Sequence, residues 1–160
     1  MLNSLSPRAT ALLIGAMFFA TIIGAWVFEY AGYLPCELCL LQRWAYYVVV
    51  PASLLVAYFN PPWIKSALLV IGLALVASAI FGAYHSGVEW KFWAGPQSCS
   101  SGSISDGLPD LGKPAVLCNE AAIRIAGLSL AGWNAVISAG LAVVAFAAAR
   151  KSHGSSSVSQ

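Results

Sequence analysis

The sequence predicts an all-α membrane protein, a four-transmembrane-helix bundle with a long second outer loop. Hydrophobic residues make up 59% of the 160-residue chain, and only 9% of its residues are charged. A soluble domain of this length needs more polar surface to cover its core. Four uncharged apolar runs approach or exceed the roughly 20 residues that cross a bilayer core. We therefore expect lipid around most of the chain and no nucleic-acid partner.

The first two spans are predicted at 9–28 and at about 40–59, separated by a short loop at 29–39. The first run is longer than the apolar region of a signal peptide, and no Ala-x-Ala-like cleavage site follows it. We therefore expect a retained helix. The second run is uncharged from Trp44 to Phe59, and its apolar character extends back through 38–41.

The third and fourth spans are predicted at 66–84 and 128–149, separated by a long loop at 85–127. Around Cys99 this loop is rich in Gly, Ser, Pro and Asp, which predicts turns. Asn119 is a plausible helix cap, so a surface helix is predicted before the fourth span. Residues 1–151 are expected to form one domain and 152–160 a disordered tail. Six span glycines are predicted to allow close helix packing: Gly15, Gly24, Gly72, Gly82, Gly132 and Gly140.

The distribution of basic residues predicts that both termini are cytoplasmic. One side of the membrane carries Arg8, Lys65, Arg150 and Lys151, all in the tails or in the short connector between the second and third spans. The other side also carries four basic residues, but over much more chain and together with all six acidic residues. Orientation follows the Lys and Arg of short segments near span ends. Both long connections, and all four cysteines, then lie on the outer face.

The cysteines favour redox chemistry over two static bridges. Cys36 and Cys39 lie in the first outer loop, and Cys99 and Cys118 in the second, on the side where disulfides persist. Two structural disulfides are the plain alternative. A bridge between Cys36 and Cys39 closes a very small loop, however, and restrains the unfolded chain little. Cys-x-x-Cys at a helix start is instead a recurring redox arrangement, because the helix N-terminus lowers a thiol pKa.

Arg43 lies four residues after Cys39, hence one helical turn away on the same face. A cation there favours a thiolate at Cys39. The alternative is an arginine that reaches out to lipid headgroups. We predict no metal site, because Cys99 and Cys118 are far apart and zinc would need a second close pair. Covalent haem is excluded, because Leu40 rather than histidine follows Cys39.

The whole pattern resembles the DsbB family of bacterial inner-membrane proteins. The resemblance is carried by Cys-x-x-Cys-x-x-x-Arg after the first span, the separated cysteine pair in the second outer loop, and the segments "CELCLLQRWAYY" and "YHSGVEWKFWAGPQSCS". It implies an enzyme that reoxidises the periplasmic thiol oxidase DsbA and passes the electrons to a quinone, either ubiquinone or menaquinone. Because DsbA has a reduction potential of about −120 mV, its reoxidation needs an acceptor of higher potential. The loops 29–39 and 85–127 would then be periplasmic.

The resemblance also implies a role for each site residue. A thiolate of the partner would attack Cys99, and the freed Cys118 would exchange with Cys36. Cys39 would donate electrons to the quinone, and Arg43 would stabilise the negative charge. His85 would contact the quinone, or else be an interfacial histidine in water.

Glu29 and Glu89 would handle protons, or be solvated acids at span ends. Two other functions remain open at this point. One is the same chemistry for a dedicated DsbA-like partner with few clients. The other is a non-catalytic membrane scaffold with structural disulfides.

Overall fold

The structure is a computed structural model that describes residues 5–96, 99, 104–105, 108–109 and 117–151. Its four helices are α1 (Pro7–Tyr30), α2 (Glu37–Phe59), α3 (Ile64–Glu89) and α4 (Leu130–Lys151). All four are long and apolar enough to cross a membrane. The predicted all-α four-helix membrane bundle is confirmed, and the chain is a multi-pass membrane protein. The tail predicted at 152–160 lies outside the described residues.

The bundle exposes large apolar side chains and buries small and polar ones. Its outer faces carry Phe19, Val48, Leu55, Val70, Leu73, Ile80 and Val143. Its interior holds Thr10, Ser53, Ser78, Asn134 and Ser138. In water such an outer face would leave a large apolar area solvated. In hydrocarbon it costs nothing, whereas polar groups must find partners inside the bundle.

Close helix approach explains most of the predicted packing glycines. A Cβ atom at Gly15, Gly72, Gly82 or Gly132 would lie within 3.4 Å of a neighbouring element. At Gly82 it would meet the Ala131 carbonyl oxygen at 3.0 Å, so α3 and α4 approach backbone to backbone. The prediction is wrong at Gly24 and Gly140, since no described atom outside their own helix backbone lies within 4 Å of a Cβ there.

Tight turns make the first three helices antiparallel. α1 ends at Tyr30, and Gly32, with φ of 98°, turns the chain back. α2 then begins after Cys36, whose sulfur accepts a hydrogen bond from the Cys39 N–H at 3.3 Å. Asn60, in the left-handed conformation, ends α2, and residues 60–63 lead directly into α3. The start of α2 and the end of α3 therefore lie at the same end of the bundle.

The surface helix predicted after Asn119 is wrong. That stretch contains an antiparallel hairpin of β3 (Arg124–Ile125) and β4 (Leu128–Ser129), closed by Ala126 and Gly127. Both turn residues have positive φ, 51° and 86°, as a two-residue hairpin turn requires. Because β4 uses residues 128–129, α4 begins two positions later than the predicted span. A second short pair joins β1 (Ile104–Ser105) to β2 (Leu108–Pro109).

The hairpin is held against the end of α3. The Arg124 guanidinium lies 4.5 Å from the centre of the Trp90 ring, a cation–π contact. Trp93 donates a hydrogen bond to the Tyr84 carbonyl oxygen at 3.0 Å and packs against Gly87 so closely that no Cβ would fit there. These contacts fix the chain immediately after His85, where the site lies.

Candidate functional site

The four cysteines meet at one end of the bundle. Cys99 and Cys118 form a disulfide with a Cα–Cα distance of 5.3 Å. They share one buried cluster with Cys36, and Cys39 packs against it. Cys36 and Cys39 are free thiols. The structure therefore holds an oxidised pair and a reduced pair in one cluster.

Cys36 is the sulfur on which stabilising contacts converge. It occupies the N-cap of α2, and His85 Nε2 lies 3.4 Å from its Sγ atom. A hydrogen bond from the Cys39 thiol, followed by the contact with His85, lowers the Cys36 pKa from 9.0 to about 5, although burial opposes this shift. Cys36 is therefore a thiolate near neutral pH in this state.

A chain of buried side-chain amides reaches His85 from α4. Tyr46 donates a hydrogen bond to Asn134 Oδ1 at 2.6 Å, and Ser138 donates to the same oxygen at 3.1 Å. Asn134 Nδ2 then donates to Gln42 Oε1 at 2.8 Å. Gln42 Nε2 lies 2.6 Å from His85 Nδ1. The network joins α2, α3 and α4 through buried polar groups.

This network decides which ring nitrogen of His85 carries the proton in the neutral ring. The Asn134 oxygen accepts hydrogen bonds from three hydroxyl groups. Its nitrogen also donates to the Ser78 carbonyl oxygen, which can only accept, so this nitrogen faces Gln42 Oε1 as well. The Gln42 nitrogen must then face His85. Nδ1 is the acceptor, and the proton lies on Nε2. That N–H faces the Cys36 sulfur. The amides therefore orient His85 as a hydrogen-bond donor to the thiolate.

Glu89 lies one turn beyond His85 and is buried, not solvated. Its Oε1 atom is 3.8 Å from His85 Nε2, and its side chain is 5% exposed. Its Oε2 atom is buried without a hydrogen-bond partner among the described residues. The solvated-acid alternative is therefore wrong for Glu89. His85 is 1% exposed, which likewise excludes an interfacial histidine in water.

Arg43 forms an ion pair with Glu29 of α1 at 2.6 Å. Its side chain is 12% exposed, so it does not extend freely to the headgroups. The positive charge predicted to stabilise a thiolate at Cys39 is thus shared with the Glu29 carboxylate. The pair brings the end of α1 against the first turns of α2.

A cavity of about 390 Å³ opens between α1, α2 and α4 beside these groups. Most of its wall is apolar, including Met17, Phe28 and Ile137. One side is polar and presents Cys39, Gln42, Arg43, Tyr46, His85 and Asn134. Such a cavity suits a flat apolar molecule with a few hydrogen-bond acceptors.

Residues 7–148 match the family model described as "Disulfide bond formation protein DsbB". The chain belongs to the DsbB family. It is also similar to an uncharacterised protein of Rickettsia prowazekii (strain Madrid E), with 30% identity over 125 residues, 71% of this chain and 70% of that protein. No solved structure matches it. As a DsbB-family member with four membrane helices and two cysteine pairs, it is a membrane protein of disulfide bond formation.

Six site residues were predicted from the sequence of this DsbB-family chain. Five of them meet at the cysteine cluster: Cys36, Cys39, Cys99, Cys118 and His85. The sixth, Arg43, lines the cavity beside Cys39 and His85. The roles given to all six stay predictions. Sequence reasoning missed the low pKa of Cys36, and it missed the two amides of Gln42 and Asn134. A lone asparagine inside an apolar span was the available signal, because buried amides in membranes bond across helices.

Proposed function

We propose that this DsbB-family protein is a quinone-dependent dithiol oxidase of the bacterial inner membrane. It takes two electrons from a periplasmic DsbA-like partner and passes them to a membrane quinone. Both termini are cytoplasmic, and the cysteine end of the bundle faces the periplasm. One observation carries the proposal: the Cys99–Cys118 disulfide, the Cys36 thiolate and the cavity beside Cys39 form one continuous path.

The path begins at the outer disulfide. A thiolate of the partner attacks Cys99, the sulfur–sulfur bond breaks, and Cys118 leaves as a thiolate. Attack at Cys99 is favoured because it is 7% exposed, whereas Cys118 is fully buried. Cys118 lies in the same cluster as Cys36, so it next attacks the inner disulfide at Cys36. This exchange leaves Cys118 bonded to Cys36 and releases Cys39 as a thiolate. The partner's second thiolate then attacks the partner–Cys99 bond, which completes the partner disulfide and releases Cys99. Cys99 in turn attacks Cys118, so the outer disulfide reforms, Cys36 leaves, and the inner pair is a dithiol.

The cavity fits the head group of a quinone. The apolar walls suit its ring, and the Arg43 and Gln42 side chains provide donors for its carbonyl oxygens. When bound, the quinone accepts two electrons and two protons. Cys39 lies at the cavity wall, and Arg43 provides positive charge beside it. With the quinone as the two-electron acceptor, the sulfurs of Cys36 and Cys39 would bond to each other, the inner disulfide would reform, and the two protons of the dithiol would leave with the electrons.

His85 and Glu89 hold protons during this cycle. The net reaction converts a partner dithiol and a quinone into a partner disulfide and a quinol, so two protons move with two electrons. His85 contacts the Cys36 sulfur, lines the cavity and lies 3.8 Å from Glu89. The Nε2–H of His85 can pass its proton to the reacting groups, and the buried carboxyl of Glu89 can accept a thiol proton and replace it.

The proposal is tested with the purified protein in detergent, a reduced DsbA-like protein and a quinone. We expect quinone reduction at the same rate as partner oxidation, one quinol per partner disulfide. Replacing any one of the four cysteines with serine should stop steady turnover. Glu37→Gln, which removes an exposed acid from the helical turn that holds Cys39, should leave the turnover rate unchanged. Turnover that persists in Cys99→Ser, or a wild-type protein that reduces no quinone, would contradict the proposal.

The two other functions give different results in the same assay. A dedicated enzyme would oxidise one DsbA-like partner and leave others reduced. A scaffold would show no turnover with any partner. The free thiols of Cys36 and Cys39 weigh against the scaffold, since static bridges would use all four sulfurs.

A further inference from the structure

We propose that the reduced inner cysteine pair, His85 and Glu89 form a binding site for a thiophilic divalent cation such as Zn²⁺. The Sγ atoms of Cys36 and Cys39 and a ring nitrogen of His85 all lie within 4.8 Å of one another. Glu89 adds a buried carboxylate whose Oε2 atom has no hydrogen-bond partner among the described residues. The sequence prediction of no zinc site considered only the cysteines, whereas the fold brings two further ligands, His85 and Glu89 of α3, to the inner pair.

The distance between Cys36 and His85 matches a tetrahedral ion. Bonds of about 2.3 Å to sulfur and about 2.0 Å to nitrogen or oxygen place the ligand atoms roughly 3.3 to 3.8 Å apart. Cys36 Sγ lies 3.4 Å from His85 Nε2, and the same nitrogen lies 3.8 Å from Glu89 Oε1. The Cys36 sulfur is thus at ligand spacing from His85 Nε2. A nitrogen and an oxygen on one zinc ion lie about 3.3 Å apart, so the Glu89 side chain must rotate to bring its carboxylate to the ion. Two thiolates, one imidazole and one carboxylate are a donor set that zinc prefers.

Binding requires two small changes in the site. Cys39 must release the proton that it shares with Cys36, because each sulfur binds as a thiolate. His85 must bind through Nε2, so its proton moves to Nδ1. A half-turn of the Gln42 amide then presents its oxygen to that N–H. Both changes, like the rotation of Glu89, involve only protons and side chains.

The site exists in only one oxidation state. When Cys36 and Cys39 form a disulfide, neither sulfur is a thiolate, and two of the four ligands are lost. Metal binding therefore competes with oxidation of the inner pair. If the proposed function holds, the bound metal therefore inhibits quinone reduction. Binding of the metal to the reduced protein does not depend on the proposed function.

Cobalt(II) tests the binding directly, because thiolate–cobalt bonds absorb light. The full-length protein in detergent is reduced without oxygen, freed of reductant and titrated with Co²⁺. We expect one Co²⁺ per chain, a thiolate-to-cobalt charge-transfer band, and displacement of the band by Zn²⁺. The oxidised protein should show no band. A Cys99→Ser/Cys118→Ser protein should keep the band, since the outer pair supplies no ligand.

The ligands are tested one at a time. Cys36→Ser and Cys39→Ser should each lose the charge-transfer band or weaken binding strongly. Glu89→Gln should weaken binding by at least about tenfold, whereas the exposed neighbour Glu37→Gln should bind as the wild type does. No band in the reduced wild type, or a band of unchanged affinity in Glu89→Gln, would overturn the proposed site. Partner-driven quinone reduction, measured without metal, separates that failure from a failure of the proposed function.

Discussion

The low pKa of Cys36 leads to a prediction about its reactivity. With a pKa of about 5 in place of 9.0, the ratio of thiolate to thiol at pH 7 changes from roughly 1:100 to roughly 100:1. The largest cause is the hydrogen bond from the Cys39 thiol, and contact with His85 adds to it. Removing the Cys39 donor or removing His85 should therefore raise the pKa of Cys36.

The assay is the pH dependence of alkylation, with the modified cysteine located by mass spectrometry. The outer disulfide stays oxidised and unreactive. In wild-type protein we expect the alkylation rate at Cys36 to fall only below about pH 5. His85→Leu and Cys39→Ala should each move this midpoint upward. Cys39→Ser, which keeps a hydroxyl donor, should lie closer to the wild type.

The sign of the linked stability follows from the depressed pKa. Ionised Cys36 stabilises the reduced, folded protein fully above the ordinary thiol pKa of 9.0, and this contribution disappears as the pH falls toward about 5. A wild-type midpoint near 9, or one that neither His85→Leu nor Cys39→Ala moves, would refute this reasoning.

Three further predictions concern the frame of the site and its orientation. Asn134→Leu leaves buried partners unsatisfied and should cost at least about 2 kcal/mol of unfolding free energy in detergent. Val136→Ala on the exposed face should cost less than about 1 kcal/mol. Equal losses in the two variants would exclude the network as a stabilising element. Gly87→Ala should lower the melting temperature because of the Trp93 contact, while Gly140→Ala, with open space around it, should not; the reverse order would contradict the packing. After reduction of spheroplasts, a membrane-impermeant thiol reagent should label the cysteines, and labelling only after lysis would place them in the cytosol.

The sequence predicted the bundle well because the membrane leaves few alternatives. An uncharged apolar run long enough to cross hydrocarbon must be helical, since every backbone polar group needs a partner. The hairpin was missed because Ala126, with φ of 51°, adopts a conformation that alanine rarely takes. A local reading of that stretch therefore favoured a helix.

The site was only partly predictable, because its contacts join residues far apart in the chain. Cys36 and Cys39 were found from their spacing, which is a local property. His85 meets Cys36 across 49 residues, and Asn134 meets Gln42 across 92. Such contacts depend on which helix faces pack together, and the spacing of residues along one sequence does not reveal this.

The order in which the two pairs hold electrons tests the central claim most directly. One equivalent of a reduced DsbA-like protein is added to the fully oxidised enzyme without quinone, and the disulfides are mapped by mass spectrometry after acid quenching. We predict that Cys99 and Cys118 are again bonded to each other while Cys36 and Cys39 are free, as in the structure. An intact inner disulfide beside a reduced outer pair would contradict electron flow toward the cavity.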